Sequence, residues 1–128
     1  MIQGIGTDMV EIERLAQSYA RHGARLLDRI LGPSERLAMP ASDSPRFAAW
    51  IAKRFAAKEA AVKALGTGFS GGISLHDIQT IHDELGAPKL VFSGLAQQRM
   101  DEMGAVRVHV SISDERTHAL AFVVIEGD

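Results

Sequence analysis

The chain has 128 residues, 46% hydrophobic and 23% charged, a globular mix long enough to bury one core and too apolar for disorder. A formal net charge of −2 gives no global field toward nucleic acid, so any polyanion site must be a local patch. Cysteine is absent, which excludes disulfides and thiolate zinc sites and fits a reducing compartment.

In chain order, the first 15 residues lack a basic start followed by an apolar run, so no signal peptide is expected. No stretch approaches the ~18 apolar residues of a spanning helix, and the expected location is the cytoplasm with no membrane partner. Residues 2–10 alternate in part and hold Gly4 and Gly6, which predicts a strand whose backbone something approaches closely. Residues 11–31 read as helix with a possible break at Gly23. Gly32-Pro33-Ser34 is a stop followed by a cap, with Ser34 ahead of a short helix over 35–39 and a polar loop over 40–45. A long helix follows over 46–65, then a glycine-rich link over 66–72 and a strand over 73–82. Leu85-Gly86-Ala87-Pro88 reads as a turn into a partner strand over 89–92. Ser93 or Gly94 caps a helix running to Met103, and two strands, 106–113 and 118–126, form a hairpin around the turn at 114–117. Helices cluster early and strands late, the α+β pattern, and residues 1–128 read as one domain without linker or repeat.

The long helix carries the chemistry. On a wheel of about 100° per residue, Ile51, Phe55 and Val62 cluster, and Glu59 falls about 40° to one side of Phe55. Its neighbours on that side, Ala52 and Ala56, are too small to shield it. A carboxylate at the edge of an apolar stripe needs a partner, because an unpaired buried charge is costly. Lys63, one turn on, is one possibility and a metal ion is the other; Lys58 also projects toward the stripe. Asp8, on the first strand, reads either as a cap for the helix that follows or as a second metal ligand. Two carboxylates from distant segments, each beside glycines and cations, suit Mg²⁺, which takes one or two carboxylates and completes its shell with water and phosphate oxygens. Gly66 to Gly68 read as a helix C-cap or as a backbone cradle for phosphate; the letters match GxGxxG but follow a helix instead of a strand, so no dinucleotide fold is implied.

Arg14, Arg21, Arg25 and Arg29 lie within about 80° of one another if their helix is unbroken. They form either a solvated face or a docking stripe for an acidic partner. No aromatics interleave with them, so a nucleic-acid partner is not expected. The histidines show no ligand spacing, and no serine sits in a GxSxG elbow.

The runs GIGTDMVEI at 4–12, AKRFAAKEA at 52–60 and KALGTG at 63–68 together resemble the short, group I type of 4'-phosphopantetheinyl transferase, the holo-acyl-carrier-protein synthase family. The likeness continues through HDELGAPKL at 82–90, VSISD at 110–114 and residues 119–126, and so covers essentially the whole chain in order. It implies a 4'-phosphopantetheinyl transferase fold in a homotrimer with active sites at protomer boundaries. It implies Mg²⁺-dependent transfer of the phosphopantetheine arm of coenzyme A to a serine of apo acyl carrier protein, releasing 3',5'-ADP, in support of fatty acid biosynthesis. Residue by residue, the family's magnesium aspartate falls on Asp8, its magnesium glutamate on Glu59 and its motif lysine on Lys63. Arg54, Lys63, Gly66 and Gly68 are then expected at the nucleotide, and Arg14, Arg21 and Arg25 at the carrier protein, which is strongly acidic. Many members have histidine where this chain has Asp114, so no nucleotide role is carried to that position.

Overall fold

The computed structural model describes residues 1–68 and 70–128. Strand β1 (Ile2–Glu11) leads into helices α1 (Ile12–His22), α2 (Ala24–Ile30) and α3 (Pro33–Leu37), then the long helix α4 (Phe47–Leu65). Two 3-10 turns (Ser70–Gly72 and Leu75–Asp77) precede strands β2 (Ile78–His82) and β3 (Pro88–Phe92), helix α5 (Gly94–Met103), and strands β4 (Ala105–Asp114) and β5 (His118–Gly127). The order in the main antiparallel sheet is β1-β5-β4, while β2 and β3 form a separate antiparallel pair. The architecture is the expected α+β one: an N-terminal strand, helices, then antiparallel strands.

Helix α4 organises the core. It is rich in alanine, the strongest helix former, and Ile51, Ala52, Ala56, Ala57, Ala60, Ala61 and Leu65 are all fully buried. These small side chains let the sheet lie close. Gly4, Gly6, Asp8 and Val10 occupy alternate positions of β1, paired with Ile125, Val123, Ala121 and Ala119 of β5. A Cβ at Gly6 would stand 1.9 Å from the Ala60 carbonyl oxygen, and one at Gly4 would stand 2.0 Å from that of Ala64. The close approach predicted at these glycines is therefore made by the backbone of α4. Asp8, two residues beyond Gly6, shares the strand face that these glycines turn toward the helix bearing Glu59.

Three local expectations are refined. Gly23, at φ +57°, does break the first helix, so α1 and α2 have separate axes. Helix α3 starts at Pro33, with Gly32 as its cap residue: the Gly32 N–H donates to the Glu35 carboxylate at 3.0 Å, so Ser34 lies inside the helix instead of capping it. The strand predicted over 73–82 begins only at Ile78. The Ser74 hydroxyl accepts from the His76 N–H, and the Asp77 carboxylate accepts from the Ser74 N–H, which curls residues 75–77 into a 3-10 turn. Such side-chain bonds to nearby backbone compete with a ladder. Gly66 ends α4 in the left-handed conformation, as a C-cap; Phe69, in the predicted glycine link, lies outside the described residues. No described helix is long and apolar enough to cross a membrane.

Candidate active site

Phe55, Glu59 and Lys63 follow one another at single-turn spacing on α4. Phe55 and Glu59 open onto a cavity of about 630 Å³ whose other walls are Leu15, Leu26 and Ile30 from the first two helices and residues 73–76 from the link. The lining is mainly apolar, with Glu59 as its carboxylate. Arg14 also faces this space, its guanidinium 5.9 Å from the centroid of the Phe55 ring. Burial pushes the Glu59 carboxyl above its ordinary range, the nearby charge of Asp8 pushes it the same way, and Lys63 and Arg14 oppose the shift. Two carboxylates thus raise each other's electrostatic cost in one place.

Lys63 does not resolve that cost for Glu59. Its Nζ donates to the Thr7 carbonyl at 2.9 Å and to Asp8 Oδ1 at 3.2 Å, crossing from helix to strand. The pair expected within the helix, Glu59 with Lys63, gives way to a pair between elements. Among the described residues Glu59 takes part in no ion pair. The structure therefore brings Asp8, Glu59 and Lys63 together and leaves the helix carboxylate without an ion-pair partner among the described residues. The donor set is two hard carboxylate oxygens, and their mutual repulsion is what a divalent cation would relieve. No group of three or more potential ligands occurs among the described residues. The residues present fit Mg²⁺.

The next face of α4 holds what the sequence showed only in part. Lys58 is completely buried, and its ammonium donates to Glu35 Oε1 at 2.6 Å, to the Leu75 carbonyl at 2.9 Å and to the Ile78 carbonyl. Glu35, equally buried, also accepts from the N–H groups of Gly32 and Thr80. Burial pulls the Lys58 ammonium below its ordinary range, and Glu35 works against that shift. Breaking one side of such a pair typically costs about 3–5 kcal/mol, because the other charge stays buried. The projection of Lys58 toward the apolar stripe was the available signal; Glu35, on another helix, was out of reach of any periodicity.

Arg54 also lies on this face, about 140° around α4 from Glu59. It is 5% exposed and stacks 3.9 Å from the Trp50 ring centroid, and its Nε is buried with no hydrogen-bond partner among the described residues. Desolvation lowers its pKa and Glu35 opposes that. Arg54 and Lys58 share one carboxylate, so the group carries an excess positive charge. His82, pulled below its ordinary range by burial and by the fields of Arg54 and Lys53, lies in the same neighbourhood. Lys53 reaches Asp114 of β4 at 3.6 Å. The structure does not place Arg54 beside Asp8 and Glu59.

The arginines of the first helices are all exposed, but the break at Gly23 places Arg14 and Arg21 on α1 and Arg25 and Arg29 on α2. Arg14 and Arg29 line the cavity, whereas Arg21 and Arg25 do not. At the far end of α4 the Gly66 N–H donates to the Lys63 carbonyl, and a Cβ at Gly68, where φ is +58°, would meet open space.

Asp8, Glu59 and Lys63 thus meet where strand β1 lies against helix α4, with Glu59 also lining the cavity. The model of the 4'-phosphopantetheinyl transferase superfamily matches residues 4–123, and the chain belongs to that family. It is 53% identical over 127 residues to a holo-[acyl-carrier-protein] synthase of Alkalilimnicola ehrlichii, covering 99% of this chain and 98% of the relative. The crystal structure of a holo-[acyl-carrier-protein] synthase from Neisseria meningitidis superimposes with a TM-score of 0.89 at 43% identity, covering 98% of this chain and 99% of the other. A third, from Bacillus anthracis in complex with CoA (3',5'-ADP), gives a TM-score of 0.82 at 35% identity over 100% and 99% of the two chains. The activity class is phosphopantetheinyl transfer.

Proposed function

We propose that this chain transfers the 4'-phosphopantetheine arm of coenzyme A to a serine of apo acyl carrier protein, releasing 3',5'-ADP, with Mg²⁺ required and fatty acid biosynthesis as the process served. The observation that carries the reading is the convergence of Asp8, Glu59 and Lys63 between β1 and α4, with Glu59 also lining the cavity. The similarity to a synthase solved with CoA supports the substrate. The cavity, about 630 Å³ with Leu15, Leu26, Ile30 and Phe55 in its lining, would take the flexible pantetheine arm, with the pyrophosphate left at Glu59.

The serine Oγ of the carrier protein attacks the phosphorus that bears pantetheine, the bond from that phosphorus to the oxygen of the nucleotide phosphate breaks, and the serine proton passes to solvent as 3',5'-ADP leaves with the bridging oxygen. Asp8 and Glu59 would hold Mg²⁺, which supplies charge neutralisation on the pyrophosphate oxygens. Lys63, already donating into this space, moves its ammonium from Asp8 toward the leaving phosphate, where negative charge develops. Arg54 would supply its Nε–H donor to the nucleotide phosphates, and Gly66 and Gly68 offer a backbone surface without side chains. Apo acyl carrier protein, incubated with CoA and Mg²⁺, should gain the mass of the arm; an unchanged mass would overturn the reading.

The same proposal makes residues 1–128 one transferase domain and the protomer of a homotrimer. Ile5, Met9, Leu120 and Phe122 are exposed together on the outer face of β1 and β5, an apolar patch of the kind that covers itself by association. Arg54 and Glu59, on different faces of α4, suit a site completed between protomers. Sedimentation should report three chains, and Phe122→Glu should yield monomers with little activity.

A further inference from the structure

Lys58 stands next to Glu59 in the chain, yet it faces away from the cavity and holds the cavity's opposite wall. Its ammonium has three N–H groups and three acceptors: Glu35 Oε1 and the carbonyls of Leu75 and Ile78. Those carbonyls belong to the segment whose residues 73–76 line the cavity across from Glu59. Glu35 extends the tie through Thr80 of β2, whose N–H donates to Oε2 at 3.1 Å, and through Gly32 ahead of α3. The wall also follows a glycine-rich link and contains a 3-10 turn, so its own ladder bonds do not hold it in place.

We propose that Glu35 and Lys58 are positioning residues for coenzyme A: they set the distance between Glu59 and the wall at residues 73–76, and so the fit of the pantetheine arm. This rests on the proposed function. One turn of α4 carries both the acid at the cavity mouth and the anchor of the wall facing it, which locks the two in register. A flexible arm gains affinity from a groove already held at the right width, because neither side then has to be ordered on binding. The 3',5'-ADP portion, which has no pantetheine, does not sense that width.

The test compares the two ligands on the intact protein. The double variant Glu35→Gln/Lys58→Met removes one charge of each sign, so the net charge of the buried group is unchanged. It keeps an amide oxygen for a backbone N–H and deletes the ammonium ties to Leu75 and Ile78. The variant should bind CoA about tenfold more weakly, with KM for CoA raised to match, kcat within about twofold of wild type, and 3',5'-ADP affinity unchanged. Unchanged CoA affinity would overturn the proposal, as would equal loss for CoA and 3',5'-ADP, which is what a role in stability alone produces. A second measurement needs no variant. In wild type, CoA should slow amide exchange over residues 73–78 more than 3',5'-ADP does, and equal protection by the two would overturn it. Wild type that binds neither ligand and transfers no arm would remove the function beneath the proposal, a result distinct from all of these.

Discussion

Lys63 on α4 donates to Asp8 on β1, 3.2 Å from Oδ1, while Glu59, one turn back on the lysine's own helix, takes part in no ion pair among the described residues. The strand carboxylate is compensated in the free protein and the helix carboxylate is not. Binding of a cation and a pyrophosphate would reverse that arrangement: the cation relieves Glu59, and Lys63 is released from Asp8 to the phosphate.

Asp8→Ala and Glu59→Ala should each lower transfer about a hundredfold or more, since several kcal/mol of charge stabilisation are lost with the ion's ligand. The fold should survive both, because neither side chain packs the core. Wild-type activity should vanish in excess chelator and return with Mg²⁺ or Mn²⁺. Full transfer in excess chelator would exclude the metal assignment.

Lys63→Ala should reduce kcat by about two orders of magnitude, the usual scale for a lost donor at a developing charge. Lys63→Arg should recover part of that, since guanidinium keeps the charge but is a poor proton donor. Single-turnover rates measure the step directly. A near-normal kcat for the alanine variant would leave Lys63 as only the partner of Asp8.

Replacing Arg21 and Arg25 by glutamate should raise KM for acyl carrier protein about tenfold and leave KM for CoA alone, as expected for charges that steer encounter. Arg14→Glu should raise both, because Arg14 also lines the cavity. The difference between wild type and the Arg21/Arg25 variant should shrink in high salt, which screens exposed charges. Equal KM values in all the proteins would return these arginines to a solvated face.

Glu59 is held above its ordinary pKa by burial and by Asp8. The unfolded chain ionises this group first as pH rises, so folding loses stability above the unfolded value and the loss is complete above the folded one. Below both values the group is neutral in either state and has no such effect. Glu59→Gln should therefore raise the melting temperature at neutral pH in the absence of metal, by about 1–3 °C, and the gain should disappear in acid. Mg²⁺ should raise the melting temperature of wild type but not of the variant. A variant less stable than wild type at neutral pH would contradict this sign.

Gly6→Ala should destabilise the fold by about 3 kcal/mol, as overpacking against a backbone atom does, because its Cβ would stand 1.9 Å from the Ala60 carbonyl oxygen. Moving the strand to relieve the clash would also move Asp8, so kcat should fall along with stability. Denaturant midpoints and transfer rates together check the coupling. A stable and fully active Gly6→Ala protein would show that strand and helix are less tightly registered than this contact requires.

The residues of the candidate site were legible in the sequence because each belongs to a local pattern. Glu59 betrayed itself on the wheel by sitting at the edge of an apolar stripe, Lys63 by its single-turn spacing, and Asp8 by a strand interrupted by Gly4 and Gly6. The order of helices and strands followed in the same way from periodicities of about 3.6 and 2 and from glycine and proline stops. Tertiary structure alone decided who partners whom. Lys63 chose Asp8 over Glu59 because Gly4 and Gly6 let β1 lie against α4, an approach no helical spacing encodes. Glu35 met Lys58 from 23 residues away, and the 3-10 turn at Leu75–Asp77 replaced predicted strand where Ser74 and Asp77 bond to nearby backbone and Lys58 takes the carbonyls of Leu75 and Ile78. Burial and pairing of charge depend on distances between segments far apart in the chain, and periodicity reports only the face from which a side chain sets out.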